Sequence, residues 1–202
     1  MIDQPRTPDF DALYRRDEDP WAVRTSWYER RKLAVLVASL QRERYTSAWD
    51  PACGTGDLAL ALRGRCDRVA ASDVSARAVG MTRELTRDAP GVQTFRHALP
   101  APPEPLNGSV ELVVLGEFLY YLPPADRTAT YQLLDRVAAP TAEVLSVHWR
   151  HHPHDAWLSG EQVTAELDGC LRAAGWSAAV RHTDLGFVLA SWVRGDPPPE
   201  TP

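Results

Sequence analysis

Residues 47–58 read SAWDPACGTGDL and combine a short apolar run, an acid and a turn of small residues. The apolar run ends in Asp50, and Gly54 and Gly56 come just before an apolar segment that starts at Leu58. Small residues let the backbone approach a ligand closely, and the first turn of a helix offers free N–H groups. The stretch therefore predicts a strand, a ligand-binding turn and a helix.

A second acid follows 23 positions after Asp50. The apolar run that begins at Val69 ends in Asp73. A carboxylate at the end of the second strand of a βαβ unit can accept hydrogen bonds from both hydroxyls of a ribose. Two strand-end acids around a small-residue turn indicate a nucleoside pocket.

Length and composition limit the classes of protein. The chain has 202 residues, a formal net charge of −5 and three widely spaced cysteines, which suits one domain with a substantial core. The acidic balance disfavours a nucleic-acid surface, and the cysteines form no disulfide or zinc pattern. With no bilayer-length apolar run and no signal-peptide pattern, the sequence predicts a cytoplasmic protein without nucleic-acid or membrane partners. It does not reveal the oligomeric state.

Strand and helix patterns alternate along the chain. This order predicts an α/β fold, an open and largely parallel sheet with helices on both faces. The last two strands are joined by a short turn and must be antiparallel to each other. The predicted strands are 47–49, 68–72, 92–96, 110–115, 143–149, 177–182 and 187–193, and the predicted helices are 58–62, 75–87, 125–138 and 160–174.

The region before the first strand is predicted to be an arm and a lid. Residues 1–19 are polar and poorly periodic, whereas residues 25–40 place apolar side chains roughly on one helical face, Trp27, Leu33, Leu36, Val37 and Leu40. This helix either covers the nucleoside pocket or is only packed down by its aromatic residues. We therefore predict an arm and lid helix over 1–44, a ligand-binding domain over 45–195 and a disordered tail over 196–202.

Several motifs together carry a resemblance to a known family. They are DPW at 19–21, SWYE at 26–29, RK at 31–32, DPACGTG at 50–56, DVS at 73–75, GEFLYYL at 116–122 and HWR at 148–150. Over nearly its whole length the chain resembles the class I S-adenosylmethionine-dependent methyltransferases. Within them it is most similar to the nodulation protein S type, small enzymes that N-methylate the amino sugar of a chitooligosaccharide. The glycine turn is common to the superfamily, and the other motifs are more specific.

The resemblance implies a Rossmann-like fold with a seven-stranded, mostly parallel sheet, a C-terminal antiparallel hairpin and an N-terminal helical lid. It also implies the cofactor S-adenosylmethionine and the product S-adenosylhomocysteine. Ala52 departs from the family, which usually has glycine there, and His97-Ala98 stands where many relatives have an acid. The cofactor residues that the resemblance implies are Trp21, Arg31, Asp50, Ala52, Gly54, Gly56, Leu58, Asp73, Val74, Ala98, Leu99 and Gly116.

Each of these residues has an expected part of the cofactor. The methionine part is assigned to Asp50 and the turn at 52–56, with the backbone of Gly116 near its amine. Asp73 takes the ribose, Val74 packs on the adenine ring, and Ala98-Leu99 meets its edge. Arg31 either pairs with the methionine carboxylate, which Trp21 covers, or is a solvated helix charge.

The acceptor side is expected beyond the fourth and fifth strands, where α/β sheets bind their ligands. An alkylammonium has no lone pair, so an amine acceptor must lose a proton before it can be methylated. The candidate catalytic residues are Glu117, His148, Tyr120 and Tyr121; the two tyrosines are adjacent, and we expect one of them in the core. Four histidines between 148 and 154 show no recognised ligand spacing, so no metal site is predicted.

These features predict an S-adenosylmethionine-dependent N-methyltransferase whose acceptor is a small-molecule amine on an amino sugar or a similar polar metabolite. An O-methyltransferase of a hydroxylated metabolite and a non-catalytic cofactor-binding module are the alternatives. DNA amino-methylation is disfavoured, because Gly116-Glu117-Phe118 replaces the Pro-Pro-aromatic motif of those enzymes. A nicotinamide dehydrogenase would need a fuller glycine fingerprint and a second nucleotide-binding half.

Overall fold

One sheet of seven strands forms the centre of the molecule, with helices against both faces. The computed structural model describes residues 7–103, 106 and 108–195. The strands are β1 Tyr45–Asp50, β2 Cys66–Asp73, β3 Val92–Arg96, β4 Val110–Gly116, β5 Ala138–Trp149, β6 Ser177–Thr183 and β7 Phe187–Arg194. The helices are α1 Phe10–Arg16, α2 Trp27–Ala38, α3 Asp57–Arg63, α4 Ala76–Leu85, α5 Pro124–Val137 and α6 Gly160–Ala173, with a 3₁₀ turn at Leu119–Tyr121.

The strand order is β3-β2-β1-β4-β5-β7-β6. The first five strands are mutually parallel, and β7 pairs antiparallel with both β5 and β6. The chain winds outward in one direction from β1 through β2 to β3 and in the other from β4 to β5. Ligands of such sheets bind at the carboxyl edge beside this switch point. The predicted fold, including the C-terminal antiparallel hairpin, is confirmed.

Two apolar clusters hold the helices to the sheet. Alternate residues of β5 point to opposite faces, so that Val144 packs with α5 and α6 while Leu145 packs with α2 and α3. Strand β4 is buried on both faces, as its nearly continuous apolar sequence predicts. Side-chain caps start three of the helices: Asp9 accepts a hydrogen bond from the N–H of Ala12, Ser75 accepts one from the N–H of Ala78, and Ser159 forms a capping box with Gln162.

Strand β5 is longer than its sequence predicts. The strand was predicted over 143–149, but α5 ends at Val137 and the strand already begins at Ala138, so that it includes Pro140. The register between β5 and β4 shifts at this point, from Val110 opposite Ala138 to Leu112 opposite Glu143. A proline can lie in an irregular stretch of this kind, because its missing N–H costs no ladder bond there.

The N-terminal region differs from the predicted arm. Residues Phe10–Arg16 form helix α1, whose Tyr14 packs against Ala78 and Met81 of α4. Helix α2 was expected to bury Trp27, but that side chain is 70% exposed, and the buried positions of the helix are Lys32 and Leu36.

The predicted tail at 196–202 lies outside the described residues. Positions 104 and 105, in the proline-rich segment 100–105, also lie outside them. None of the helices in the described part of the chain has the length and apolar character that a bilayer crossing requires.

Candidate active site at the carboxyl edge of the sheet

A cavity of about 1420 Å³ lies at the carboxyl edge of the parallel strands. It is bounded by α1 and α2, by the turn after β1 and by the segments that follow β2, β3, β4 and β5. Pockets for one small ligand commonly measure about 300–1,000 Å³. The cavity is therefore large enough for a cofactor together with a second small molecule.

The turn after β1 brings the backbone to the cavity wall. Gly54 has a φ of +51°, and a Cβ at this position would lie 2.7 Å from the hydroxyl oxygen of Tyr14 on α1. Its N–H donates to Oδ2 of Asp73 at 3.0 Å. Neither the left-handed backbone nor the close approach of α1 admits a larger residue here.

Asp73 is fixed at the end of β2 with its carboxylate at the cavity wall. Oδ1 accepts from the N–H of Ser75 at 2.9 Å and Oδ2 from that of Gly54, and a carboxylate retains further acceptor positions. Burial raises the pKa of Asp73, and the backbone donors oppose that rise. Val74 beside it is 51% exposed and lines the cavity. A carboxylate that accepts hydrogen bonds, next to an exposed aliphatic side chain, suits the hydroxyls of a ribose and the flat base attached to it.

Most of the other residues expected to bind the cofactor also line this cavity. Two that do not are Asp50 and Gly56, which lie beneath its wall. Asp50 is 1% exposed, its Oδ2 accepts no hydrogen bond from any described residue, and burial with the nearby charge of Asp73 raises its pKa to about 8. A Cβ on Gly56 would lie 2.8 Å from Cα of Thr82, so Gly56 lets α3 pack on α4. The lining residues from the predicted cofactor set are Trp21, Ala52, Gly54, Leu58, Asp73, Val74, Ala98, Leu99 and Gly116.

Glu117 follows β4 with a φ of +59°, an uncommon conformation for a residue with a side chain. Its Oε2 accepts from the hydroxyl of Tyr120 at 2.7 Å and from the N–H of Trp149 at 2.7 Å, and its Oε1 accepts from Nζ of Lys32. Burial alone would raise the pKa of Glu117, but the Lys32 ammonium and the hydrogen bonds outweigh it and hold the pKa below its usual value. A strained backbone held in place by several contacts is typical of functional sites.

Lys32 is the residue of α2 that sequence reasoning missed. It is 6% exposed, lines the cavity and bonds both Glu117 and Glu29. Its burial could have been predicted from its spacing, because Lys32 precedes Leu36 and Leu40 by about one and two helical turns and so lies on the same buried face.

Arg31, the predicted partner of the methionine carboxylate, does not line the cavity. Its guanidinium pairs with Asp184 in the β6–β7 turn at 2.5 Å and lies over the ring of Phe187. Because adjacent helical positions point about 100° apart, Arg31 and Lys32 cannot face the same site. In this structure Arg31 thus forms an ion pair on the far side of the helix, and its pairing with the methionine carboxylate stays an untested prediction.

Both tyrosines after β4 line the cavity, and both also belong to the apolar core cluster, where one of them was expected. The 3₁₀ turn brings the rings of Tyr120 and Tyr121 to a centroid distance of 4.6 Å with an edge-to-face orientation. Burial raises the pKa of both phenols, which keeps them protonated at neutral pH, and the hydroxyl of Tyr120 donates to Glu117.

His148 does not face the cavity, contrary to expectation. Its side chain is fully buried, its Nδ1 lies 2.9 Å from Oγ of Ser146, and its ring packs edge-to-face on Tyr120. Burial lowers the pKa of His148 to about 4, against the opposing charge of Glu117. In the alternation of β5 it is Val147 and Trp149 that reach the cavity.

The remaining histidines of this segment form no recognisable metal site. Nε2 of His152 lies 2.9 Å from the carbonyl oxygen of Ala156, and His154 is almost wholly exposed. Across residues 7–103, 106 and 108–195, no group of three or more His, Cys, Asp or Glu side chains could hold a metal ion.

Comparison with known proteins places this site in a family. A family model described as a methyltransferase domain matches residues 48–141. A crystal structure of a protein described as a methyltransferase, from Pseudomonas syringae, is 31% identical; the match covers 84% of this chain and 100% of that one, with a TM-score of 0.70. The chain belongs to the class I S-adenosylmethionine-dependent methyltransferases. The cofactor of that family is S-adenosylmethionine.

Two further relatives of this methyltransferase are nodulation proteins. Nodulation protein S of Sinorhizobium fredii is 28% identical over 124 residues, which are 60% of this chain and 56% of that relative. The N-methyltransferase NodS of Bradyrhizobium japonicum, in complex with S-adenosyl-L-homocysteine, is 18% identical, with a TM-score of 0.77 over 94% of this chain and 100% of that one. The second likeness shows a shared fold, and the resemblance to the nodulation protein S type is confirmed.

Proposed function

We propose that this methyltransferase binds S-adenosylmethionine in the cavity and transfers its methyl group to an amine of a small molecule, an amino sugar or a similar polar metabolite. The observation that carries the proposal is the charge of the cavity wall. Eight acidic side chains line it against four basic ones. Low-dielectric walls of one sign concentrate ligands of the opposite charge, here a sulfonium and an ammonium.

The order of the strands divides the proposed site into a cofactor half and an acceptor half. Asp73 after β2, with Val74 and the Ala98-Leu99 segment after β3, would hold the adenosine. Gly116 after β4 would place its backbone at the methionine part, and Trp21 would cover it. Glu117, Tyr120 and Tyr121 lie past β4, on the side of β5, and would bound the acceptor half.

The protein's own contribution to the reaction is positioning, charge and exclusion of water. When bound, S-adenosylmethionine supplies a methyl group already activated on its sulfonium. The residues around Glu117 would hold the acceptor nitrogen beside that methyl group. An acceptor ammonium must first release one proton to solvent water, which exposes the lone pair that forms the new bond to the methyl carbon as the bond from that carbon to sulfur breaks. The ionised carboxylate of Glu117 then favours the cationic methylated amine.

The structure favours an amine over an alcohol acceptor. An alcohol needs a strong base, and the two groups that the sequence offered for that role are unsuited to it. Tyr120 donates its hydroxyl to Glu117 and has a raised pKa, while His148 is buried away from the cavity. An amine needs only a cation-binding wall and the loss of one proton.

The first experiment is calorimetric titration with S-adenosylhomocysteine, with NAD⁺ as the control. We expect binding of S-adenosylhomocysteine and none of NAD⁺. Methyl transfer from labelled S-adenosylmethionine should then be compared for D-glucosamine, short deacetylated chitooligosaccharides and D-glucose. Labelling of D-glucose but not of the amines would replace the amine proposal with an O-methyltransferase, and preference for NAD⁺ would overturn the cofactor assignment.

Asp73→Ala should weaken S-adenosylhomocysteine binding by about 1–3 kcal/mol, because hydrogen bonds to a charged acceptor are lost. Asp67→Ala is the matched control, since Asp67 lies on the same strand in an exposed ion pair with Arg44. Calorimetry should give the control variant an affinity equal to that of the unaltered protein. Equal losses in both variants would mean that Asp73 does not touch the cofactor.

A further inference from the structure

Two carboxylates share one ammonium at the junction of α2 and β4. Nζ of Lys32 lies 2.9 Å from Oε2 and 3.0 Å from Oε1 of Glu29 and also bonds Oε1 of Glu117. The side chains of Lys32 and Glu29 are 8% and 14% exposed, and all three residues line the cavity. The cluster thus has two carboxyl groups and one ammonium at the cavity wall, and the ammonium can balance the charge of only one carboxylate.

The two carboxylates are not equivalent. Glu117 receives hydrogen bonds from Lys32, Tyr120 and Trp149, whereas Lys32 is the single donor to Glu29 among the residues that the structure describes. The pKa of Glu29 is raised, first by burial and then by the charges of Glu117 and Asp19, although Lys32 opposes the rise. The deficit of positive charge therefore falls on Glu29.

The three other lysine or arginine side chains of the cavity wall donate to groups other than Glu29; Arg96 donates to the carbonyl oxygen of Val74 at 3.4 Å. Arg24 donates to Asp57 at 3.4 Å and to the carbonyl oxygen of Thr55 at 3.2 Å. Arg30 donates to the carbonyl oxygen of Thr25 at 2.7 Å.

Arg31 is paired with Asp184, and His148 behind Tyr120 is buried with a lowered pKa. Two largely buried carboxylates that share a single ammonium are only partly compensated, and such a charge is costly, so the site can accept a further cation from a ligand.

We infer that Glu29, held by Lys32 beside Glu117, is the ligand for the ammonium group of the methyl acceptor and selects amines over neutral compounds of the same shape. This inference rests on the proposed function and deepens it. The cofactor's own methionine part also carries an ammonium, and the same chemistry could serve that group. The position past β4 and on the lid helix favours the acceptor, and the experiment separates the two sources.

The test compares Glu29→Gln with the unaltered protein in three measurements, and Glu84→Gln is the control because Glu84 is exposed on α4 in an ion pair with Arg87. The first is thermal unfolding without ligand. The second is calorimetry with S-adenosylhomocysteine. The third is the shift of the melting temperature of the S-adenosylhomocysteine complex by methylammonium chloride against potassium chloride at equal ionic strength.

We expect Glu29→Gln to melt at the same temperature as the unaltered protein or higher, because it removes the excess charge while its amide can still bond Lys32. Its S-adenosylhomocysteine affinity should be unchanged within about twofold, and the methylammonium shift should be lost. The unaltered protein and Glu84→Gln should both keep the shift.

Three outcomes would overturn the inference. A lower melting temperature of Glu29→Gln would assign Glu29 a structural ion pair. A loss of S-adenosylhomocysteine affinity of about tenfold or more would assign the charge to the cofactor's ammonium. No methylammonium shift in the unaltered protein would mean that the cluster binds no ammonium. Failure of the unaltered protein to bind S-adenosylhomocysteine would instead contradict the proposed function.

Discussion

At the scale of single residues, burial sets the protonation of the groups behind the cavity. The pKa of Asp50 is raised to about 8 and that of His148 is lowered to about 4, in both cases chiefly because the charged form loses water. Glu117 is the exception, since Lys32 and its hydrogen bonds keep it ionised. The acidic wall of the cavity therefore persists at neutral pH while His148 stays neutral.

His148 should make the protein sensitive to acid. The unfolded chain takes up the histidine proton below pH 6.5, but the folded protein does not until about pH 4. The contribution of His148 to the free energy of unfolding is thus complete above pH 6.5 and falls by about 3 kcal/mol as the pH decreases to 4.

His148→Asn, which retains a nitrogen or oxygen near the position of Nδ1, should lose this dependence. Denaturant unfolding between pH 4 and 7 measures the difference between the two proteins. His154→Asn serves as the control, because His154 is 97% exposed and the curve for that variant should run parallel to that of the unaltered protein. A difference between the unaltered protein and His148→Asn that does not change with pH would mean that His148 is not buried in its neutral form.

At the scale of elements, a glycine before α3 allows α3 and α4 to pack closely beneath the cavity. Gly56 is the N-cap of α3 and has a φ of +91°, and a Cβ there would lie 2.8 Å from Cα of Thr82 in α4. Gly80 lies within α4 with no atom within 4 Å of its virtual Cβ. The same substitution at the two positions should therefore have opposite effects.

Gly56→Ala should destabilise the protein by about 2 kcal/mol or more, from the left-handed backbone and the contact with α4. Gly80→Ala should stabilise it by about 0.5–1 kcal/mol, because alanine is the better helix former. Denaturant midpoints measure both changes. If Gly56→Ala kept full stability and lost only cofactor affinity, Gly56 would belong to the ligand site as the sequence motif suggested.

At the scale of the whole molecule, the cavity lies between a rigid edge and a thinner cover. The edge is the carboxyl end of the parallel strands, which are buried between two apolar clusters. The cover is α1 and α2. Helix α1 buries Tyr14, which lies beside Gly54, and α2 buries Lys32, which bonds Glu117, and Leu36. Elements with few buried contacts open at low free-energy cost.

Hydrogen exchange should therefore respond to the cofactor mainly in the cover. Saturation with S-adenosylhomocysteine at about 100 times its Kd adds about 2.7 kcal/mol to the free energy of unfolding. Amides of α1 and α2 should slow, while those of β6 and the exposed end of α6, remote from the cavity, should change only with global stability. Equal protection of β6 and α1 would mean that the helices do not close over the ligand.

Some features of the fold could be predicted because they depend on local sequence. The small residues and strand-end acids at 50–56 and 73 are compatible with few local backbone conformations. The alternation of strands and helices predicts the parallel sheet with its antiparallel end. The assignments of Asp73 and Gly54 to the ligand site followed from these positions, and the family resemblance added Val74; all three line the cavity. The start of β5 was placed too late in the sequence, because a register irregularity accommodates Pro140 within the strand.

Other features depended on which elements meet. The short polar segment that forms α1 carries too little periodicity to predict a helix, and it is stabilised by contacts with α4 that no local pattern shows. The 3₁₀ turn after β4 let both tyrosines face the cavity, and the pleat of β5 turned His148 away from it.

The sequence by itself thus determined the family, the sheet and the placement of Asp73 and the small-residue turn at its carboxyl edge, because these depend on short motifs and on the periods of strands and helices. Only the tertiary structure decided which charge of α2 serves the site. Lys32 rather than Arg31 faces Glu117, since packing of the α2 stripe on the sheet sets the rotation of the helix. Charges that come together from distant parts of the chain, as Glu29, Lys32 and Glu117 do, become visible only when the chain is folded.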